Sequence, residues 1–467
     1  MKILLALTAF LITSGMFLLP HINNKIPGHS PRESFEMYCA GCHGFNMERF
    51  PGKTYEQNTS PEYLGKMIRE GIPELGMPSF RKTFTDEETA DLVAYLTGEL
   101  RQQKPEVSTV HFPAIINSLR QDFRLDTVLT GLDVPWSLLF LPDGDLLVAE
   151  RSGQIFRFRD GKFAAIIEGL PPVFAKGQGG LFDMILHPDY KNNGWIYLSY
   201  AKISPDDPGE GNTAVMRARL KNDRLADQQI IFTATPYSEK TYHFGGRMVF
   251  DNTGHLYITI GDRGRQSDAQ LLSTFSGKVH RLNDDGSIPA DNPFYGQAGA
   301  IPSTYTYGHR NPQGLFYNKE SGELWANEHG PRGGDELNLI RKGRNYGWPA
   351  ITYGINYDGT IITADTALPG MEQPVHQWTP SIAPGSLYQI PEGRYTFWKD
   401  DFLSGSLSFR YLERTRIKGG KTIETEKLLD GIGRIRYVTV GPDGLIYLTV
   451  EKPGAVFRLL PIEQQEY

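Results

Sequence analysis

The chain has 467 residues, 12% of them aromatic, with 50 Gly, 31 Pro and a formal net charge of −6. That length exceeds one ordinary core and predicts two or three domains, and the Gly and Pro content points to many turns between short strands, not a helical bundle. The mild acidity and the lack of a basic block argue against nucleic acid as a partner, and two cysteines three residues apart leave no pair for a disulfide framework.

In chain order, the first element is an apolar run from Ile3 to Leu19 behind Lys2, followed by Pro20 and a polar stretch to Ser30. It reads as an export signal, and at about 17 residues it lies at the short limit of a membrane span. No clear small-residue cleavage site follows. Residues 1–25 are therefore either a cleaved signal or a retained inner-membrane anchor, and both place the protein in the periplasm.

Cys39-Ala-Gly-Cys42-His43 has the form C-x-x-C-H. Thiols at this spacing can form thioethers to both vinyl groups of a haem, which places the His43 imidazole on the iron. Zinc would want further Cys or His ligands at similar spacing, and a thioredoxin-like dithiol would want a βαβ context. The flanks supply neither. A sixth ligand is expected some 30–40 residues later, where Met77 lies between Gly76 and Pro78 on a stiff, non-helical loop. Met67 falls in a predicted helix over Pro61 to Glu70, and Met47 is too close to His43. A final helix starts at Thr85 with Glu88 completing a capping box, and Leu92, Val93, Leu96 and Leu100 recur along it at helical spacing. Residues 31–102 resemble a small class I cytochrome c, which implies haem c with His/Met ligation and a fairly high reduction potential.

After a polar linker, residues 103–121, the pattern changes to apolar strand, turn, apolar strand. It recurs at Leu138–Glu150 around Pro142-Asp143-Gly144, and at Ile185–Tyr200, Val249–Gly261, Leu315–Glu328 and Val438–Glu451. The returning unit predicts an all-β propeller over residues 122–462, with room for about six four-stranded blades. A double-sheet sandwich accounts for the repetition less well.

A dehydrogenation feeding such a haem needs a base for the proton and a cofactor for the hydride, because no side chain accepts one. No G-x-G-x-x-G following a strand suggests a nicotinamide or flavin. Histidine is the natural base near neutral pH, and a carboxylate partner would fix its tautomer.

Several motifs follow in order: Val134-Pro135-Trp136, Gly177-Gln178-Gly179-Gly180, His243-Phe244-Gly245-Gly246-Arg247 and Gly261-Asp262-Arg263-Gly264. Gly308-His309-Arg310-Asn311-Pro312-Gln313-Gly314, the run from Glu328 to Glu336, and Asn345-Tyr346-Gly347-Trp348-Pro349 complete the series. As an ordered set they resemble the soluble quinoprotein glucose and aldose dehydrogenases, the glucose/sorbosone dehydrogenase family, over roughly residues 122–460. The resemblance implies a six-bladed propeller using pyrroloquinoline quinone (PQQ) and Ca²⁺ to oxidise an aldose to its lactone. His243 would be the base, oriented by Asp262. Gln178, Arg310, Asn311, Ser381, Arg434 and Arg436 match residues around the quinone. The carbonyls of Gly330 and Pro331 match a calcium site beside it, and Glu336 with the Tyr346 carbonyl matches a second, structural calcium site. Ser408 stands where the family carries a cofactor-binding lysine, and Arg410 could reach the same face only from a regular strand.

Together these expectations describe an exported sugar dehydrogenase fused to its electron acceptor, passing electrons from quinone to haem and on to an external cytochrome or oxidase. Two other classes remain: a calcium-dependent propeller hydrolase such as a lactonase, and a non-catalytic carbohydrate-binding propeller carrying a cytochrome.

Overall fold

A computed structural model describes residues 30–43, 47, 60–72, 77–102 and 112–462, with backbone alone at Gly41, Cys42 and residues 100–102. The expected export segment, the Cys42 side chain and the first half of the expected linker lie outside the described residues. Among those described, no helix is long and apolar enough to cross a membrane.

The N-terminal module is helical. Helix α1 (Pro31–Tyr38) starts at Ser30, whose hydroxyl and the Glu33 carboxylate form a reciprocal capping box. Helix α2 (Ala40–His43) follows after a single residue, α3 spans Pro61–Glu70, and α4 spans Asp86–Gln102. The predicted cap of α4 is present: Glu88 N–H donates to Thr85 Oγ1 (3.1 Å) and Thr85 N–H to Glu88 Oε2 (2.8 Å). Phe35, Leu64, Ile68, Phe80, Leu92 and Leu96 form its core.

The rest is a six-bladed propeller of six four-stranded sheets. Blade 1 starts with strand Pro135–Phe140, blade 2 with Leu181–Leu186 and blade 3 with Met248–Phe250. Blades 4, 5 and 6 start with Pro312–Tyr317, Pro384–Gln389 and Ile435–Val440. The ring closes in blade 6, where N-terminal strand Phe123–Leu129 pairs antiparallel with C-terminal strand Ala455–Pro461. Closure of this kind ties the two ends of the domain together. Second strands such as Leu146–Glu150 and Ile446–Val450 are buried on both faces, whereas the outer strand Lys421–Leu428 alternates between exposed and partly buried residues. Inner positions therefore read as continuous apolar runs and outer ones as alternation.

Residues 115–121, the later part of the expected linker, pack on the propeller. Ile116 exchanges backbone hydrogen bonds with Phe123, and Arg120 grips Glu424 in blade 5 with Nε and Nη2 (2.9 and 2.8 Å). Beneath this contact Arg414, fully buried, donates to Asp401, Glu424 and Glu426.

The topology places the motifs on one face. In an up-and-down blade, the loop entering the first strand and the loop joining the second to the third emerge at the same end. Gly177–Gly180, His243–Arg247, Gly308–Asn311 and Gly433–Arg434 each enter a first strand. Gly261–Gly264 and the loop between Glu328 and Asp335 join second to third strands. All open around the propeller axis at one end.

Candidate active site

His243 is the centre of this face. Its backbone is left-handed at φ +58°, a conformation that a non-glycine residue keeps only when its surroundings enforce it. Gln178 Oε1 accepts the His243 N–H (2.9 Å), and Arg263, buried beside the Phe244 ring, donates to the carbonyls of Gly211, Lys240 and Tyr242. Glycine is required next door: a Cβ on Gly245 would stand 2.4 Å from the Thr259 carbonyl oxygen.

Nδ1 of His243 lies 2.7 Å from Asp262 Oδ1. Asp262 also accepts from Gly264 N–H (2.8 Å) and, through Oδ2, from Trp348 Nε1 (2.9 Å). Those bonds aim the carboxylate, and with Nδ1 as the donor to it the ring's acceptor is Nε2, which has no hydrogen bond among the described residues. Burial pushes the imidazole below its ordinary pKa, Arg310 adds to the push, and Asp262 opposes both. Burial would raise Asp262, but His243, Arg310 and the Gly264 amide hold it below the usual carboxylate range. The result is an imidazole biased toward its neutral form, with 14% side-chain exposure.

Arg310 donates from Nη1 to the Gly330 and His329 carbonyls (2.6 and 3.2 Å), while its buried Nε has no partner among the described residues. Asn311 is buried and accepts from Gly245 N–H and from Gln313 Nε2. Gln313 in turn accepts from Arg436 Nη1 (3.1 Å), joining blades 3, 4 and 6. Arg434 and Arg436 both bind Glu451, at 2.8 and 2.6 Å, and those guanidiniums hold its carboxyl well below the usual range against its burial. Two cations on one carboxylate leave a net positive charge at the rim.

The segment at Ser408 differs from a regular strand. The blade 5 strand ends at Ser406, and residues 407–410 turn, with Arg410 left-handed at φ +60°. Strand alternation therefore does not carry Arg410 to the position of Ser408. Arg434 reaches this turn, donating from Nη1 to the Leu407 carbonyl (2.9 Å) across 27 residues of chain.

The Glu328–Glu336 loop is organised by Asp335, which accepts from Gly330 N–H (2.7 Å) and Ala383 N–H (2.6 Å). The Pro331 carbonyl accepts from Ser381 Oγ (3.0 Å). Both carbonyls expected to hold calcium beside the quinone thus already accept hydrogen bonds, one of them from a cation. Glu336 and Glu328 lie side by side, bridged by Asn338 Nδ2 (3.0 and 3.2 Å). Burial and then Glu328 push the Glu336 carboxyl up to about 8. Asn338 Oδ1 is buried without a partner, and the Tyr346 carbonyl accepts no hydrogen bond among the described residues. Crowded carboxylates and unused amide oxygens are a donor set for a hard cation. Glu328, Asn338, Gln313, Arg263 and Trp348 are given no role from sequence; Trp348 meets Asp262 and Gln313 meets Arg436 only through the fold.

In the N-terminal module the C-x-x-C-H run forms one helical turn, with Cys39 N–H donating to Phe35 O and His43 N–H to Cys39 O (both 2.8 Å). Cys39 and His43 consequently share a face, and Met77 joins Cys39 in the same apolar cluster. The loop holding Met77 is pinned by paired backbone bonds with Ile72 (2.9 and 3.1 Å).

Residues 132–458 match the family model for glucose/sorbosone dehydrogenase. The chain belongs to that family. Residues 27–96 match the model for subunit III of cbb3-type cytochrome c oxidase, so a cytochrome c domain precedes the glucose/sorbosone dehydrogenase domain. The chain is 41% identical to the aldose sugar dehydrogenase YliI of Escherichia coli K12, over 75% of this chain and 94% of that one. The crystal structure of the soluble aldose sugar dehydrogenase of Escherichia coli in its apo-form superposes with a TM-score of 0.70 at 38% identity, covering 73% of this chain and 100% of that one. A PQQ-bound aldose sugar dehydrogenase from Streptomyces coelicolor superposes at 0.59 with 28% identity, over 75% of this chain and 99% of that one.

Proposed function

We propose that the protein is an exported, PQQ-dependent aldose dehydrogenase that delivers electrons to its own haem c and then to an external cytochrome or oxidase. The observation that carries this reading is the buried His243–Asp262 dyad at the end of the propeller where the loops converge, on a chain that also holds a cytochrome c domain. PQQ, when bound, supplies the hydride acceptor that the side chains lack. The unpartnered Arg310 Nε and the excess positive charge of Arg434 and Arg436 suit a polycarboxylate, and Gln178, Asn311 and Ser381 would complete its surroundings. His243 Nε2 takes the sugar hydroxyl proton, and Asp262 offsets the charge that the ring gains. Cys39 and Cys42 would attach the haem, with His43 and Met77 on its iron.

Reconstituting the full chain with PQQ and Ca²⁺ and adding aldoses tests this reading. Reduction of the haem bands by a sugar is the expected result. Quinone binding without any haem reduction by aldoses would sink it, and lactone hydrolysis by quinone-free protein would move the assignment to a hydrolase.

Arg434→Ala is expected to weaken PQQ binding by roughly 10- to 100-fold, the effect of losing one charge-assisted contact, measured by fluorescence titration. Arg410→Ala should leave the same titration nearly unchanged.

A calcium ion at Glu328, Glu336, Asn338 and the Tyr346 carbonyl gives a pH-dependent expectation. The folded pKa of Glu336 lies above its ordinary 4.5, so the metal-free protein loses stability as pH rises from about 4.5 through 8. Calcium replaces the proton there. The rise in melting temperature on adding Ca²⁺ should therefore be larger at pH 8 than at pH 5.5, and it should shrink in Glu336→Gln.

A further inference from the structure

The two modules touch at one place among the described residues. A long excursion between the third and fourth strands of blade 4 carries the tip Asn356-Tyr357-Asp358-Gly359, closed by Gly359 N–H on Asn356 O and stiffened by Asp358 Oδ1 accepting from Thr360. This tip is clipped to the pocket loop, because Arg332 and Ile355 exchange backbone hydrogen bonds at 3.0 and 3.1 Å. The Arg332 guanidinium lies over the Tyr38 ring, 4.9 Å from its centroid. The same ring is close to Gly359, where a Cβ would lie 3.5 Å from Tyr38 Cε1. Thr83 Oγ1 donates to the Asp358 carbonyl (3.2 Å). Behind the contact, Tyr38 is braced by the edges of Phe80 and Phe84 at 6.4 and 5.1 Å.

Each side of this contact adjoins a reaction centre. Tyr38 immediately precedes Cys39, and Phe80 to Phe84 follow Met77 within a few residues. Arg332 immediately follows Gly330 and Pro331, whose carbonyls are bonded to Arg310 and Ser381 of the proposed quinone pocket.

We propose that the blade 4 tip and Arg332 form the seat on which the cytochrome domain docks, and that the Arg332–Tyr38 stack is the junction through which electrons leave the propeller. This rests on the quinone-to-haem reading above. Oxidation of one sugar C–OH yields two electrons and two protons. The protons pass to solvent, and one electron at a time crosses the junction to convert ferric haem iron to ferrous. An external one-electron carrier, such as ferricyanide or a soluble cytochrome, reoxidises the iron before the second electron crosses. A guanidinium over an aromatic face suits the task, since it fixes ring position at a contact that is otherwise small, and distance control is what electron exchange between two sites requires.

The test compares wild type, Arg332→Glu, Arg332→Lys and Tyr38→Leu as full chains. Three readouts separate the possibilities: haem reduction by sugar in a single turnover, steady-state reduction of a small dye that takes electrons directly from the propeller, and the maximum particle dimension by X-ray scattering without quinone or sugar. In Arg332→Glu and Tyr38→Leu, haem reduction should slow by about tenfold, the order expected from losing a partly desolvated cation–π contact. Dye reduction should remain within about twofold, scattering should show a longer particle, and Arg332→Lys should recover most of the haem rate. Unchanged haem reduction in both loss variants overturns the proposal, whatever the scattering shows. A wild type that reduces dye but not its haem overturns the junction together with the quinone-to-haem reading. A wild type that reduces neither sinks only the dehydrogenase reading, and scattering then decides: an unchanged particle in both loss variants overturns the seat.

Discussion

Replacing His243 with Gln should lower kcat/KM for the sugar by about 10²- to 10⁴-fold, the usual contribution of a positioned base, while PQQ still binds. The amide cannot take a proton, yet it can keep a hydrogen bond to Asp262, so the pocket survives and the chemistry does not. The pH profile provides an independent check. A base must be unprotonated to act, and the wild-type imidazole is held below 6.5 by burial and by Arg310 against the pull of Asp262. The acid limb of kcat/KM should therefore lie below 6.5, with activity rising through it. Asp262→Asn removes the carboxylate that favours the charged ring. Its acid limb should move to lower pH, and its rate should fall because the amide no longer holds one tautomer. An acid limb that moves upward in Asp262→Asn would contradict the assignment of base and orienter.

Replacing Arg414 with Ala should cost about 3–5 kcal/mol of propeller stability, the range for removing one member of a buried ionic network. Asp401, Glu424 and Glu426 all accept from that guanidinium, and Arg416 and Arg120 cannot serve all three in its absence. Urea unfolding of the full chain, followed by tryptophan fluorescence, measures the shift; Trp398 lies within 6 Å of the Arg414 guanidinium and belongs to the same core. Acid titration adds a signed expectation. Arg120 first, with Arg414, holds Glu424 at about 2 against its burial, so this network contributes stability that is present above pH 4.5 and is lost as pH falls toward 2. Arg120→Ala should make the wild-type protein less stable near neutral pH and flatten that acid dependence. It should also release the segment at residues 118–121 from blade 5.

Much of the molecule is legible before any coordinates. The C-x-x-C-H run is local chemistry: its spacing alone reads as a haem-attachment motif. The cap at Thr85 and Glu88 is equally local, as is the strand–turn–strand grammar that repeats through the propeller. His243 and Asp262 could be paired through the family resemblance of an ordered set of motifs, and the fold sets them on alternate loops at one end of the same blade.

The remainder depends on contacts between residues far apart in the chain, which neither periodicity nor spacing encodes. Trp348 reaches Asp262 across 86 residues, and Glu328 meets Glu336 and Asn338 only when adjacent strands pair. Ser408 shows both sides of the division. That it departs from the family pattern is plain in the sequence. That Arg434 reaches the turn at Leu407 follows only from the ring, since blades 5 and 6 bring a turn and a strand entrance together at the axis. The junction of Tyr38 with Arg332 has the same origin: each residue is ordinary in its own segment, and only the docking of one folded module on another gives the pair a role.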